Sequence, residues 1–215
     1  MADLNALDVA RRSPEVVQAQ DQAAWIALFA PDAEVHDPVG APGHPVHGLP
    51  AFWATFIAGN DIRFEVHQDL EVDGWAIRDV TIHTGFPGGA KLQVPAHLRY
   101  EVVDGRIRRL YAHWELAAMI LQVTLAGPLA WFASTRTFLR MAVHMGLGGT
   151  VRYLGGLRGA GERGKAQLRR WAGEHGLHLS KVLAAGDHLT ATIVGGGVLH
   201  AQLDDGAMGE VRRYP

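Results

Sequence analysis

Four long segments of alternating apolar and polar residues constrain the fold of this chain more than any other feature. Such alternation is typical of β-strands that bury one face. The segments are 62–72, 76–86, 90–103 and 106–116, joined by the turn sequences Asp73-Gly74, Pro87-Gly88-Gly89 and Asp104-Gly105. Helical patterns precede them at 14–29, where Ser13 is the expected N-cap, and at 49–57. Helices followed by consecutive antiparallel strands predict an α+β fold with the helices on one face of the sheet.

The second half of the chain partly repeats the first. Residues 164–182 are similar to 48–66, and residues 203–214 are similar to 102–111. Self-similarity of this kind indicates duplication of one structural unit.

We therefore expect two domains, 1–116 and 117–215. The second is predicted to be a helical segment followed by a shorter, degenerate copy of the first, packed against the outward face of the first sheet. Leu154 falls in that copy where Asp37 falls in the first, so the second domain is expected to be non-catalytic. The chain would then be a monomer with an internal pseudo-dimer, or a homodimer.

Composition excludes several classes of function. Charged residues make up 20% of the chain and the formal net charge is −2, without the concentrated basic surface that nucleic-acid binding requires. The absence of cysteine excludes disulfides and thiolate chemistry. No apolar targeting segment follows the first residues, which predicts a cytoplasmic protein.

One uncharged segment, 116–133, approaches the length of a membrane span. Gly127 and Pro128 interrupt it near the middle, and a proline following a glycine breaks a helix. We expect two helices buried between the domains, without stable insertion into a membrane.

The motif "ALFAPDAEVHDPVG" at 27–40 carries a resemblance to a known family. It is similar to the active-site entry of the ketosteroid isomerase-like and SnoaL-like proteins of the NTF2-like superfamily. The resemblance continues through "HLRYEVVDGRIRRLYAHWE" and covers about residues 8–116. It implies a cone, in which helices wrap a curved antiparallel sheet around an apolar cavity.

The resemblance assigns Asp37 as a general base that moves a proton between two carbons. A carboxylate in an apolar cavity loses solvation, so its pKa rises towards a value useful for this chemistry. The structural alternative is that Asp37 only begins a turn before Pro38, as aspartate often does.

Two departures from the family pattern concern the groups that stabilise the oxyanion, the negatively charged oxygen that forms on the substrate during the reaction. The family's isomerases stabilise it with a tyrosine and a protonated aspartic acid, and these positions match Ser13 and Ala96 here. Neither residue is the expected donor, and such donors often supply the largest catalytic contribution.

Gapless matching to the family suggests substitutes on the strand at 76–86. It places Asp79 and His83 on the cavity side, where they would share proton transfer with Asp37. Strand alternation equally allows Val80 and Ile82 to face the cavity instead. The residues expected to bind substrate are Trp25, Phe52, Phe56, Leu98, Tyr100, Leu110 and Trp114.

A metal site is a weaker alternative. His36, His44 and His47 lie near Asp37 in sequence, and histidines with a carboxylate can bind a divalent metal. However, adjacent residues on a strand point to opposite faces, so His36 and Asp37 would diverge. No metal and no cofactor are expected.

These features together predict an enzyme. Asp37 would isomerise a double bond in a hydrophobic steroid, terpenoid or polyketide-like substrate. The alternatives are a polyketide cyclase, an epoxide hydrolase or cyclase of the SnoaL-like group, a non-catalytic protein that binds hydrophobic ligands, and a structural domain.

Overall fold

The computed structural model describes residues 5–87, 91–125, 127–157 and 159–215. Gly88 and Gly89 of the predicted turn Pro87-Gly88-Gly89 lie outside these ranges. The elements of the first domain are helices α1 (Ala6–Gln18), α2 (Gln22–Ala27) and α3 (Leu49–Phe52) and strands β1 (Phe29–His36), β2 (His44–Pro45), β3 (Asp61–Val72), β4 (Trp75–Gly85), β5 (Lys91–Val103) and β6 (Arg106–His113). A 3-10 turn, Val46–Gly48, precedes α3, and a π-helical turn, Trp53–Ile57, continues it.

The four predicted long strands are confirmed as β3 to β6. They form a sheet in the order β2-β1-β6-β5-β4-β3, in which only β1 and β6 pair in parallel. The two predicted Asp-Gly turns adopt positive φ at both residues: 50° and 78° at Asp73 and Gly74, and 51° and 69° at Asp104 and Gly105. This backbone matches the twist of the strands, which explains why local sequence fixes both turns.

The predicted helix at 14–29 is wrong in its start and in its continuity. α1 begins eight residues earlier, with the side chain of Asn5 accepting a hydrogen bond from the Asp8 amide, and Pro14 lies inside the helix. Proline cannot bond to the carbonyl four residues before it. Arg78 Nη1 from β4 donates to that carbonyl, of Ala10, at 3.2 Å. The Arg78 side chain therefore provides the hydrogen bond to the Ala10 carbonyl that Pro14, which has no amide proton, cannot provide.

The break at Gly127 is confirmed, but the expectation that the helices are buried between the domains is wrong: Leu121, Leu125 and Leu139 are largely exposed. Helix α4 (Leu116–Leu125) and helix α5 (Pro128–Leu154) meet at Gly127, whose φ is 85°. Helix α4 lies against β5, where the Gln122 side chain forms two hydrogen bonds with the backbone of Gln93. In the described part of the chain, no helix is both long enough and apolar enough to span a bilayer.

The proposed equivalence of Leu154 and Asp37 is wrong in structural terms. Leu154 is the last residue of α5, whereas Asp37 follows the end of β1. A helical residue and a strand-end residue are not corresponding positions of a repeated unit.

The second domain is built on a smaller sheet. Helix α6 (Gly161–Glu174) precedes strands β7 (Leu179–Ala185), β8 (His188–Ile193), β9 (Val198–Asp204) and β10 (Ala207–Tyr214), which form an antiparallel sheet in the order β10-β9-β8-β7. It has its own apolar core, centred on Leu168, Leu189 and Leu199. Whether it arose by duplication stays a prediction.

The second sheet packs on the outward face of the first. His97 of β5 is fully buried and bonds through its two ring nitrogens to Thr190 and Thr192 of β8, at 2.8 and 2.9 Å. Arg99 of β5 donates to the Tyr214 hydroxyl at 3.0 Å. The opposite, concave face of the first sheet is left for the helices and the cavity.

Candidate active site

An apolar cavity of about 370 Å³ lies between the concave face of the first sheet and helices α1 to α5. This volume is in the usual range for small-molecule sites. The cavity lining contains all seven residues predicted to bind substrate: Trp25, Phe52, Phe56, Leu98, Tyr100, Leu110 and Trp114. Helices α4 and α5 close it with Met119, Ile120 and Met141.

Asp37 lines this cavity, just beyond the end of β1. The indole nitrogen of Trp114 donates a 2.6 Å hydrogen bond to its Oδ1. Burial among apolar side chains raises the pKa of Asp37 to about 6, although the Trp114 hydrogen bond acts in the opposite direction. Near neutral pH, a carboxyl group with this pKa can both accept and return a proton.

The loop after Asp37 is held by the second domain. The peptide bond between Asp37 and Pro38 is cis, and Gly40 has a φ of 92°. A Cβ on Gly40 would lie 2.6 Å from the Cα of Gly186, in the turn between β7 and β8. Only glycine permits this backbone-to-backbone contact, so the second domain helps to position the catalytic candidate.

Two buried phenols share the cavity with Asp37. Burial raises the pKa of Tyr100 to about 12 and raises the pKa of Tyr153 well above its usual range, and the charge of Asp37 adds to both effects. Both hydroxyls therefore keep their protons at neutral pH and can donate hydrogen bonds. Tyr153 could not be predicted as a cavity residue from the sequence, because an aromatic residue in an apolar helix carries no local sign of a functional role.

Comparison with known proteins supports the assignment of the fold. The SnoaL-like domain profile matches residues 10–110. This part of the chain is therefore similar to the SnoaL-like domains of the NTF2-like superfamily, and we refer to it below as the SnoaL-like domain. No curated protein sequence matches the chain.

Solved structures resemble the SnoaL-like domain over nearly their whole length. A Δ5-3-ketosteroid isomerase from Mycobacterium sp. is 27% identical with a TM-score of 0.51, covering 54% of this chain and 98% of its own. An LEH-like epoxide hydrolase from M. tuberculosis is 14% identical with a TM-score of 0.50, covering 56% and 90%. A computationally designed 17-OHP binder is 24% identical with a TM-score of 0.50, covering 52% and 94%.

Neither of the two positions that match the family's oxyanion donors carries the expected donor. The Ser13 hydroxyl lines the cavity and accepts a 3.2 Å hydrogen bond from the Trp25 indole. Ala96 is buried and has no polar side-chain atom. Tyr153, in contrast, lies outside the SnoaL-like domain and reaches the cavity from α5.

The expectation that Asp79 and His83 face the cavity is wrong. On β4 it is Ile82 and Thr84 that line the cavity. The gapless match was out by one residue, and a shift of one residue moves every side chain of a strand to the other face.

Asp79 instead lies at the interface between the two sheets. It is 2% exposed, pairs with Lys181 and accepts a 2.5 Å hydrogen bond from the Thr192 hydroxyl. Burial by itself would raise the pKa of Asp79. The nearby His97 ring and the hydrogen bonds from Lys181 and Thr192 outweigh burial and hold this pKa well below its usual range.

His83 also lies away from the cavity. Its Nε2 is 2.9 Å from a carboxylate oxygen of Glu65 on β3, and both side chains are partly exposed. This exposed pair has a surface role, since neither residue lines the cavity.

The histidines near Asp37 do not converge. His36 stacks on Tyr111 at 5.0 Å and lies 3.3 Å from Glu34, whereas the His44 ring packs against Phe52. Within the ranges that the structure describes, no group of three or more histidine, aspartate or glutamate side chains is placed to hold a metal ion.

Proposed function

We propose that the SnoaL-like domain isomerises a double bond in a hydrophobic, ring-containing substrate, with Asp37 as the general base. The observation that carries the proposal is Asp37, the one carboxylate among the described lining residues, with its pKa raised to about 6 by burial in a predominantly apolar cavity. Apolar lining favours a steroid, terpenoid or polyketide-like molecule.

In the proposed reaction, Asp37 removes a proton from a carbon next to a carbonyl group. The electrons move to the carbonyl oxygen and form a dienolate, and Asp37 returns the proton to a second carbon. Trp114 holds Oδ1, which leaves Oδ2 to carry the proton. A raised pKa supports this role, because the same group has to take the proton and release it.

The dienolate oxygen requires hydrogen-bond donors. We assign this role to Tyr153 and Tyr100. The positions of the two family donors are occupied here by Ser13 and Ala96. Both phenols are buried in the cavity, and their raised pKa values keep them protonated. Donors fixed in an apolar site stabilise a developing negative charge far better than water does.

Binding without turnover is the second candidate. Its specific support is the position of Ala96, which has no donor where the family isomerases have an acid. Cyclisation and epoxide opening are alternative reactions for the same base, because each also needs a desolvated carboxylate near an apolar substrate.

The test compares wild type with Asp37→Asn on a Δ5-3-ketosteroid, a polyketide-like substrate and an epoxide. We expect turnover of one of these and its loss by about 10²- to 10⁴-fold in the variant, with ligand binding retained. Asp32→Asn is the matched control, because Asp32 is an exposed aspartate on β1, the strand that Asp37 follows. Unchanged turnover in Asp37→Asn would remove this residue from the mechanism, and tight binding without turnover in wild type would establish the binding function.

We expect Asp37→Asn to remain folded, so that a loss of turnover in this variant reports on the reaction and not on unfolding. A carboxyl group whose folded pKa is raised stabilises the protein below its unfolded pKa, 3.8, and loses this contribution as pH rises through about 6. At neutral pH the charged Asp37 is therefore destabilising. Asp37→Asn should raise the free energy of unfolding at pH 7 by up to about 3 kcal/mol.

A further inference from the structure

Helices α4 and α5 carry an unusually apolar outer surface. We call it the apolar stripe: its six side chains are between 58% and 77% exposed, and they are Leu121, Leu125, Leu139, Val143, Leu147 and Val151. Helix α5 has a break at Gly146, whose φ is 70°. The stripe therefore consists of three pairs spaced four residues apart, the spacing that keeps two side chains near one face of a helical segment: Leu121 and Leu125 of α4, Leu139 and Val143 before the break, and Leu147 and Val151 after it. Soluble proteins rarely expose contiguous apolar surface of this kind without a binding role.

The same two helices line the cavity with their other side chains. Met119 and Ile120 of α4, and Met141 and Tyr153 of α5, contribute to the cavity wall. Both helices are fixed across the cavity: Gln122 bonds to Gln93, and Arg140 donates to the Ala58 carbonyl at 2.9 Å. One layer of helix therefore separates the apolar stripe from the proposed substrate site.

The charge of this segment is strongly one-sided. Residues 116–161 contain no aspartate or glutamate and four arginines, although the whole chain has a formal net charge of −2. Arg136 and Arg152 lie on the exposed surface of α5. Exposed apolar side chains flanked by basic residues are the combination that binds the surface of an anionic bilayer.

We propose that the apolar stripe docks the protein on an anionic membrane surface. The charge favours this occupant over a second copy of the chain. In a symmetric dimer the patch would face itself, so the arginines of the two copies would share an interface to which residues 116–161 contribute no acidic residue. A bilayer supplies both the acyl chains and the negative headgroups.

The first experiment is co-sedimentation of the full chain with vesicles. One set is phosphatidylcholine alone and the other contains about 30% phosphatidylglycerol, each at low and high salt. We expect wild type to bind the anionic vesicles, with affinity falling as salt rises. Leu139→Gln/Val143→Gln/Leu147→Gln should reduce binding at least about tenfold, because the apolar contact is lost.

The matched control changes three exposed valines outside the stripe, Val66→Gln/Val103→Gln/Val194→Gln. Its vesicle binding should equal that of wild type. A second variant, Arg136→Gln/Arg152→Gln, leaves the stripe intact. It should lose about fivefold in affinity per arginine on anionic vesicles, and little on neutral ones.

Three results would overturn the proposal: wild type that does not sediment with anionic vesicles, a stripe variant that binds as well as wild type, or a wild-type dimer that the stripe variant converts to monomer in light scattering. Asp37→Asn should bind vesicles like wild type, so a failure of the proposed chemistry and a failure of membrane docking are separately visible.

Discussion

The indole of Trp114, at the end of the last strand of the first sheet, donates a 2.6 Å hydrogen bond to the Asp37 carboxylate that follows the first strand. The two residues are 77 positions apart in the chain and meet inside the cavity. Trp114 favours the charged form of Asp37, whereas burial favours the neutral form, and burial has the larger effect. The balance between them sets the pH at which Asp37 can act as a base.

Removing this hydrogen bond should shift the pH dependence of activity. In wild type we expect kcat/KM to be constant above about pH 6 and to fall below it, as Asp37 becomes protonated. Trp114→Phe removes the donor, so the inflection should move to higher pH. A pH profile of kcat/KM measures the shift, with Trp171→Phe in the second domain as control. An inflection that moves to lower pH in Trp114→Phe would contradict this electrostatic account.

Tyr153→Phe tests the phenol that comes from outside the SnoaL-like domain. If its hydroxyl stabilises the oxyanion, kcat should fall by about 10²-fold with little change in KM, because the donor acts mainly in the transition state. Tyr214→Phe is the control, since that hydroxyl bonds to Arg99 at the sheet interface, away from the cavity. Equal kcat values for Tyr153→Phe and wild type would exclude Tyr153 as a donor.

The contributions of Asp79 and Lys181 to the free energy of unfolding should be coupled. Lys181→Met leaves the buried Asp79 carboxylate without its ion partner, which typically costs about 3–5 kcal/mol. The double variant Asp79→Leu/Lys181→Met removes both charges and should recover most of this loss. Urea unfolding of wild type, Asp79→Leu, Lys181→Met and the double variant measures the four free energies, and strictly additive effects would refute the coupling.

The same pair predicts acid sensitivity. Because the folded pKa of Asp79 lies below its unfolded value, 3.8, its stabilising contribution is complete above that value and is lost as pH falls further. Wild type should therefore lose stability below about pH 4 more steeply than the double variant does.

Substitution of two buried histidines at the sheet interface should change the free energy of unfolding in opposite directions. His113 packs edge-on against the rings of His188 and His200, which stack on each other, and neither of its ring nitrogens has a hydrogen-bond partner among the described residues. His113→Phe should raise the free energy of unfolding by about 1 kcal/mol, because it removes two unsatisfied polar atoms. His97→Phe should lower it by a similar amount or more, since Thr190 and Thr192 would each lose a hydrogen bond. Thermal unfolding of both variants checks the prediction, and a destabilised His113→Phe would count against it.

Local patterns in the sequence predicted much of the fold. The four strands, the Asp-Gly turns and the break at Gly127 each depend on residues close in the chain, so their periodicity and backbone preferences are visible without the structure. The position of Asp37 at the cavity was also anticipated, through the motif that surrounds it.

The tertiary structure decided which groups meet. Asp79 faces Lys181 and not the cavity because the register of β4 differs by one residue from the gapless match, and both registers give the same alternating sequence. Tyr153 joins the site because α5 folds back over the sheet, and Pro14 is tolerated within α1 because Arg78 satisfies the Ala10 carbonyl. The sequence by itself determined the period and ends of most elements, since these follow from near-neighbour geometry. Side-chain encounters over many residues depend on packing and register, which no local pattern specifies.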